Sequence, residues 1–385
     1  MIMEQLKGRL ANILQQAVES GEIAGANLLV LQGGKEIVYT QAGKAAESRP
    51  FSRDTICRIY SMTKPVTAVA AMILVQQGKL DLGCGLEEVL PAFRNMQVWE
   101  NGEKVPAKRP IFIKDLLNMT SGICYPGMDH AGQEAARVFE EANERLYGDD
   151  PMTTMELANR LGDCALAFHP GEKWMYGASA DVLGAVIEVV SGMPFGDFMK
   201  QEIFEPLGMA DTGFYVPADK QHRLADVYRS TPNGMELFPT DNLAICYTMH
   251  RQPAFQSGGA GLVSTADDYA KLASSLLGHG KQILSPATID YMTKGRLMPW
   301  QLDSLQHGWD GLRGYGYSNL LRILEEPGMA LLSGWAGEYG WDGWLGTYFC
   351  NCPQKDATVL LFTQRIDAGT LGVTRRLRNV LTAAL

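Results

Sequence analysis

Three short stretches carry the side chains whose types and spacing suit acyl-transfer chemistry. The first is Ser61-Met62-Thr63-Lys64. Residues three apart are neighbours on a helix, so a helix starting there puts the Ser61 hydroxyl and the Lys64 amine on one face. A serine hydroxyl is a poor nucleophile until a base takes its proton, and a lysine does this where burial and nearby positive charge favour the neutral amine. A helix N-terminus supplies that positive potential, and its free N–H groups can hold an oxyanion. Pro65 fits, because a first-turn position needs no N–H donor. The plainer alternative is that Ser61 caps the helix and Lys64 is a solvated charge; for the tetrapeptide alone this is the better reading, since such spacings are common by chance.

The second stretch, His169-Pro170-Gly171-Glu172 leading to Tyr176, is a turn before an apolar helix expected from about Ala180. A phenol on a loop held by a rigid element is well placed to act. Close to a lysine it can serve as general base and then as proton donor to a leaving group. The competing reading is a half-buried tyrosine packed on the helix. The third stretch is Tyr339 to Phe349, where Gly and Trp alternate ahead of a strand. Backbone there can approach a ligand closely beside large apolar surfaces, and one of its N–H groups can pair with that of Ser61 as an oxyanion hole. Its alternative is an aromatic strand in the core.

Other hydrolytic machinery is missing. There is no Gly-x-Ser-x-Gly elbow; Gly177 to Asp181 comes nearest and lacks the final Gly. The six His are dispersed with no His-Glu-x-x-His pattern, so no metal is expected. Ser257 to Thr265 is Gly-rich without the Gly-Lys-Ser/Thr ending of a phosphate loop, and reads as a turn entering a helix capped near Thr265.

The elements that must position these residues follow from patterning. Apolar residues at helical spacing (Leu6, Leu10, Ile13, Leu14, Val18) predict an opening helix, and Gly33-Gly34 splits two apolar runs as a tight hairpin does. From Ser61 to about Met209 the pattern is mostly helical, including Thr63 to Gly78 and Ala180 to Ser191. Strand-like runs return at 317–324, 346–352 and 357–364, before a closing helix from about Leu371. The segment from Tyr215 to Pro253 reads as an irregular excursion. This predicts a split α/β (α+β) unit formed by residues 1–60 and 231–385, around a mostly helical unit at 61–230.

Composition narrows the function. The chain has 385 residues, 46% of them hydrophobic, and a net charge of −9, with no basic run to hold nucleic acid or an anionic membrane. The expected partner is a small molecule, and no motif speaks to oligomeric state. The longest apolar run, Pro65 to Val75, is about half of the ~20 residues a membrane span needs. No export signal is visible, and seven scattered cysteines without a Cys-x-x-Cys pair suggest reduced thiols in a cytoplasm. Cys350-Asn351-Cys352 reads as strand filler.

Taken in order, Ser61 to Lys64, "LLNMTSG" (116–122), "HPGEKWMYGASADVLGAVIEVVSG" (169–192), "EIFEPLGMADTGF" (202–214), "GGAGLVSTADDYAKL" (258–272) and "GWDGWLGTYF" (340–349) closely resemble the serine beta-lactamase and penicillin-recognising superfamily. Within it, the chain looks most like the class C beta-lactamases and their esterase relatives, the family VIII carboxylesterases. The resemblance runs from about residue 20 to 370 and reverses the odds on the tetrapeptide. It implies a beta-lactamase/transpeptidase-like fold: an antiparallel sheet flanked by helices, plus a mostly helical domain. It also implies Ser61 as acylated nucleophile, Lys64 as its activating partner, Tyr176 as the second-motif tyrosine, an oxyanion hole from the N–H groups of Ser61 and Trp344, and no cofactor.

Two departures bear on substrate. Where penicillin-recognising enzymes usually carry Lys-Thr-Gly, this chain has Trp341-Asp342-Gly343, which offers no positive charge; Asp342 repels a carboxylate unless its side chain points away. Where class C beta-lactamases have Tyr-x-Asn, it has Tyr176-Gly177-Ala178. An aromatic wall of Trp341 with Tyr125 and Trp309 suits an uncharged apolar acyl group. The expectation is a cytoplasmic serine esterase on small apolar acyl esters. The alternatives are a beta-lactamase or D-amino-acid peptidase, an acyl transferase, and a non-catalytic binding module. Whether Lys64 or Tyr176 takes the Ser61 proton is left open by the motifs.

Overall fold

The computed structural model of the chain describes residues 2–385. Its centre is an eight-stranded, wholly antiparallel sheet that takes strands from both ends of the sequence. In spatial order these are Tyr315–Ser318, Leu321–Leu324, Tyr339–Asp342, Tyr348–Cys352, Ala357–Thr363, Gly25–Gln32, Lys35–Ala46 and Arg49–Pro50. Gly25–Gln32 and Ala357–Thr363 are buried on both faces, which explains why each reads as an apolar run without alternation. Gly33 and Gly34 turn the first hairpin with φ of +59° and +68°, the left-handed pair that a two-residue turn requires.

One face of the sheet carries the opening helix Ile2–Glu19 and the closing helix Gly372–Ala384. Their Leu10, Leu14, Leu377 and Leu381 pack on Leu28, Val30, Tyr348 and Leu361. The other face carries Ala266–Leu276, whose Tyr269 sits edge-on to Phe349 and donates a hydrogen bond from its phenol to the Met62 carbonyl. The sheet is thus tied to the residue that follows Ser61. As expected, Thr265 caps this helix, its side chain accepting from the N–H of Asp268.

Helix Thr63–Gln76 is buried all round from Thr63 to Leu74, so it is a core helix rather than an amphipathic one. Helix Ser179–Ser191 packs beside it, buried from Ser179 to Ile187. Cys350 and Cys352 are buried strand residues, and none of the seven cysteines is paired.

Three expectations change. The run 317–324 is not one strand but the end of a hairpin, Tyr315–Ser318 and Leu321–Leu324, turned by Asn319 and Leu320 at φ +49° and +60°. No turn dipeptide announces it; tertiary bonds impose it, because Leu320 N–H donates to Leu117 O at 2.7 Å and Asn319 Nδ2 to Met292 O at 3.2 Å. The excursion 215–253 contains a 3-10 turn, Ala218–Arg223, and a short hairpin, Tyr228–Thr231 with Gly234–Leu237. The mostly helical stretch holds a hairpin of its own, Gln97–Glu100 with Glu103–Pro106. Among the described residues, no single helix is long and apolar enough to cross a membrane.

Candidate active site

Ser61 lies in a 3-10 turn, Tyr60–Met62, that runs straight into helix Thr63–Gln76. Neither turn nor helix receives a side-chain cap, so Ser61 is not a capping serine. Lys64 has no solvent exposure at all, which removes the solvated-charge alternative. Its Nζ lies 3.3 Å from Ser61 Oγ, 3.1 Å from Tyr125 OH and 2.9 Å from Gly259 O. A buried amine must have such partners, since an uncompensated one costs several kcal/mol.

The helix and the segment Ser257–Leu262 are stitched together around that amine. Thr67 Oγ1 donates to Gly258 O at 2.6 Å, and Leu262 N–H donates to Thr63 Oγ1 at 3.1 Å. Asp181, in the first turn of Ser179–Ser191, is buried beneath this junction and accepts from Ser257 Oγ at 2.5 Å, Gly259 N–H at 3.0 Å and Tyr125 OH at 3.1 Å. Burial, and then the Asp181 charge, raise the Tyr125 phenol well above its ordinary range, so it stays protonated and donates a hydrogen bond to Asp181. Its oxygen is then free to accept from Lys64. Gly259 is required by closeness: a Cβ there would stand 2.3 Å from Tyr125 OH and 2.7 Å from Asp181 Oδ2. Two of the Lys64 contacts are acceptors, and the third, the Ser61 hydroxyl, can donate or accept. The same cage therefore satisfies the amine before it takes a proton and the ammonium after.

Above Ser61 opens a cavity of about 460 Å³ lined by Ser61, Tyr176, Trp309, Leu331, Trp341 and Trp344, among others. Tyr176 stacks on Trp341 with ring centroids 5.5 Å apart, and its hydroxyl accepts from Trp341 Nε1 at 3.2 Å. Its ring centroid is 4.5 Å from Lys64 Nζ, and among the described residues no hydrogen bond joins it to Ser61. Trp309 stands edge-on to both Tyr176 and Trp341 and is 44% exposed, at the cavity mouth with Leu331.

Tyr125 corrects the expected wall. It is absent from the cavity lining and faces inward, because Lys64 and Asp181 hold its hydroxyl. Asp342 does line the cavity, but Arg322 Nη1 donates to its Oδ1 at 2.7 Å and Thr370 Oγ1 donates to its Oδ2. The expected repulsion towards a carboxylate is thereby neutralised by an ion pair. Gly343 packs against the turn before Ser61: a Cβ would stand 2.1 Å from Thr347 Oγ1 and 2.5 Å from Ile59 O.

Sequence reasoning missed Asp181, Gly259 and Arg322. Asp181 had a signal, a carboxylate in the first turn of a helix that is apolar from Val182 to Ile187. Gly259 lay in a Gly-rich run read only as a turn. Arg322, inside a run taken for a plain strand, had none. Among the described residues, no three His, Cys, Asp or Glu side chains gather as metal ligands would.

Fold and site together are those of a serine hydrolase. The beta-lactamase family model matches residues 10–384, and the chain belongs to that family. It is 32% identical to an uncharacterised protein of Mycobacterium tuberculosis over 93% of this chain and 90% of that one. It is 29% identical to esterase EstB of Burkholderia gladioli, over 98% of this chain and 95% of EstB. Among solved structures it superposes on EstCE1, described as a hydrolase with promiscuous acyltransferase activity. The TM-score there is 0.84 at 26% identity, over 99% of both chains.

Proposed function

We propose that the protein is a carboxylesterase working through an acyl-Ser61 intermediate on esters with small, uncharged, apolar acyl groups. The observation that carries this reading is the buried Lys64 amine bonded to Ser61 Oγ, beneath an aromatic cavity in which the Arg322 cation at the Trp341-Asp342-Gly343 position is paired with Asp342. Ser61 Oγ attacks the carbonyl carbon while its proton passes to Lys64 Nζ. The tetrahedral oxyanion is held by the N–H groups of Ser61 and Trp344. Its collapse breaks the ester C–O bond, and the departing oxygen takes the proton of Tyr176. That proton is free, because the Tyr176 oxygen accepts from Trp341 rather than donating to it. Lys64 gives its proton back as the phenol is restored, and water repeats the sequence in reverse to release the acid. Direct contact with Ser61 favours Lys64 over Tyr176 as the first base.

Trp341 and Trp309 form the wall against which the acyl group packs, with Asp342 and Gly343 below it. Pairing Arg322 with Asp342 removes that cation from reach of a beta-lactam or peptide carboxylate, which weighs against those substrates, although Arg375, whose Nη1 donates to Thr370 O at 2.9 Å, also lines the cavity. Transfer of the acyl group to an alcohol in place of water is the second reading, supported by the apolar cavity and by the likeness to EstCE1. The chain is read as an α/β unit from residues 1–60 and 231–385 around a helical unit at 61–230, with Ser61 at the junction. Seven unpaired thiols favour a reducing compartment such as the cytoplasm.

Steady-state hydrolysis of p-nitrophenyl butyrate by the wild type and Ser61→Ala tests the proposal. Multiple turnover that the substitution abolishes is expected. A silent wild type, or turnover surviving in Ser61→Ala, overturns it in favour of another substrate class or of a binding module.

A further inference from the structure

Tyr60, immediately before Ser61, adopts φ +41° although it is not a glycine. A left-handed residue of this kind costs about 1–2 kcal/mol and persists only where its surroundings over-determine it. Here the surroundings are specific. The Tyr60 ring is 4% exposed, packs with Val216, Ile245, Met249 and Leu345, and stands edge-on to the indole of Trp344 with centroids 5.1 Å apart at 64°. That indole is pinned in turn by donation from its Nε1 to Asp367 Oδ1 at 2.8 Å, and the Trp344 carbonyl accepts from Ala368 N–H at 3.1 Å. Beside the stack, Thr347 Oγ1 donates to Ile59 O at 3.3 Å, and Gly343 N–H donates to Thr347 O at 2.7 Å.

Covalent geometry gives these contacts a meaning. The N–H of Ser61 belongs to the Tyr60–Ser61 peptide, so the backbone angles of Tyr60 aim it. The N–H of Trp344 belongs to the Gly343–Trp344 peptide. The two donors of the oxyanion pocket therefore come from segments near opposite ends of the chain, and the side chains adjoining those peptides are the two that stack. We infer that Tyr60 is a positioning residue, forming with Trp344 an aromatic clamp that sets the separation and aim of the two oxyanion donors. This rests on the proposed esterase reading, in which the N–H groups of Ser61 and Trp344 are those donors. Tyr60 does not line the cavity, so its part in the clamp bears on the transition state through the Ser61 and Trp344 peptides rather than through the wall of Trp341 and Trp309.

The test compares Tyr60→Ala, Tyr60→Phe and Asp367→Ala with the wild type. The readouts are kcat and KM for p-nitrophenyl butyrate and Ki for butylboronic acid, whose boron takes up the Ser61 oxygen to form a tetrahedral adduct. Tyr60→Ala is expected to lower kcat about 10–100-fold, with KM within about two-fold, and to raise the boronate Ki in proportion, since displaced donors lose stabilisation only in the tetrahedral state. Tyr60→Phe, which keeps the stack, restores both values to within about three-fold of the wild type. Asp367→Ala, which frees the Trp344 indole at the edge of the cavity, is expected to lower kcat and raise Ki by about three- to ten-fold. An unchanged kcat and Ki in Tyr60→Ala, or a Tyr60→Phe as defective as Tyr60→Ala, overturns the inference. If Tyr60→Ala does not fold, Asp367→Ala decides, and wild-type kcat and Ki there overturn it. Turnover surviving in Ser61→Ala instead removes the esterase reading beneath it, so the two failures are distinguishable.

Discussion

On the inner side of Ser61, Lys64, Tyr125, Asp181 and Gly259 make a buried polar cage whose polar atoms are held by directed hydrogen bonds. On the outer side, Tyr176, Trp309, Trp341 and Leu331 make a half-open wall held by ring contacts, with a single hydrogen bond between Tyr176 and Trp341. A hydrogen-bonded cage has one arrangement, and losing a member strands a buried donor or acceptor; an apolar wall tolerates changes of shape and loses only contact area. Proton transfer requires the first kind of construction, and accommodating a range of acyl groups requires the second. Damage to the cage should therefore appear in kcat, and damage to the wall in KM, except at Tyr176, whose hydroxyl also serves the proton transfer.

The largest effect expected is that of Lys64→Ala. Removing the base should lower kcat by about 10³–10⁴-fold, read by stopped-time hydrolysis of p-nitrophenyl butyrate, with KM little changed. A loss below ten-fold would mean that Tyr176 takes the proton. Asp181→Ala comes next. It strands Tyr125 OH, Ser257 Oγ and Gly259 N–H together, and should cost about 2–4 kcal/mol of stability by urea titration as well as most of the activity. Asp181→Asn, which retains an acceptor of the same shape, should recover more stability than activity. Arg322→Met leaves the Asp342 carboxylate in the cavity wall without its ion pair. It should destabilise by about 3 kcal/mol, since breaking a buried pair leaves one charge uncompensated, and should raise KM for an anionic ester, p-nitrophenyl hemisuccinate, more than for the butyrate. The smallest effect belongs to the wall. Trp309→Ala should raise KM for the butyrate about five-fold, near 1 kcal/mol of lost apolar contact, with kcat unchanged; a kcat defect as large as its KM defect would erase the contrast between the two sides.

What the sequence disclosed follows the same division. Ser61, Lys64 and Tyr176 stood out because their spacing and order resemble those of a superfamily, whereas the Gly33-Gly34 turn and the Thr265 cap were legible because turn and cap chemistry is local. Asp181 and Gly259 were not read as parts of the site, because their roles arise from segments 56 to 195 residues away in the chain. Tyr125 was recognised as an aromatic near the site but assigned to the wrong side of it. Its ring suits a wall, and only the meeting of Lys64 and Asp181 at its hydroxyl shows where it belongs. The repulsion anticipated from Asp342 failed for the same reason, since its partner Arg322 lies on a strand that the pattern could not separate from its neighbour. Local propensity is written in adjacent residues; the pairing of buried charges is settled only when the sheet closes.

The most direct test of the central claim is to label the protein with an alkyl p-nitrophenyl phosphonate and map the adduct by peptide mass spectrometry. The phosphorus should be found on Ser61, at one adduct per chain, with labelling slowed by at least about a hundredfold in Lys64→Ala. An adduct on another residue, or unchanged labelling once Lys64 is removed, would contradict the account of Ser61 as a nucleophile activated by that buried amine.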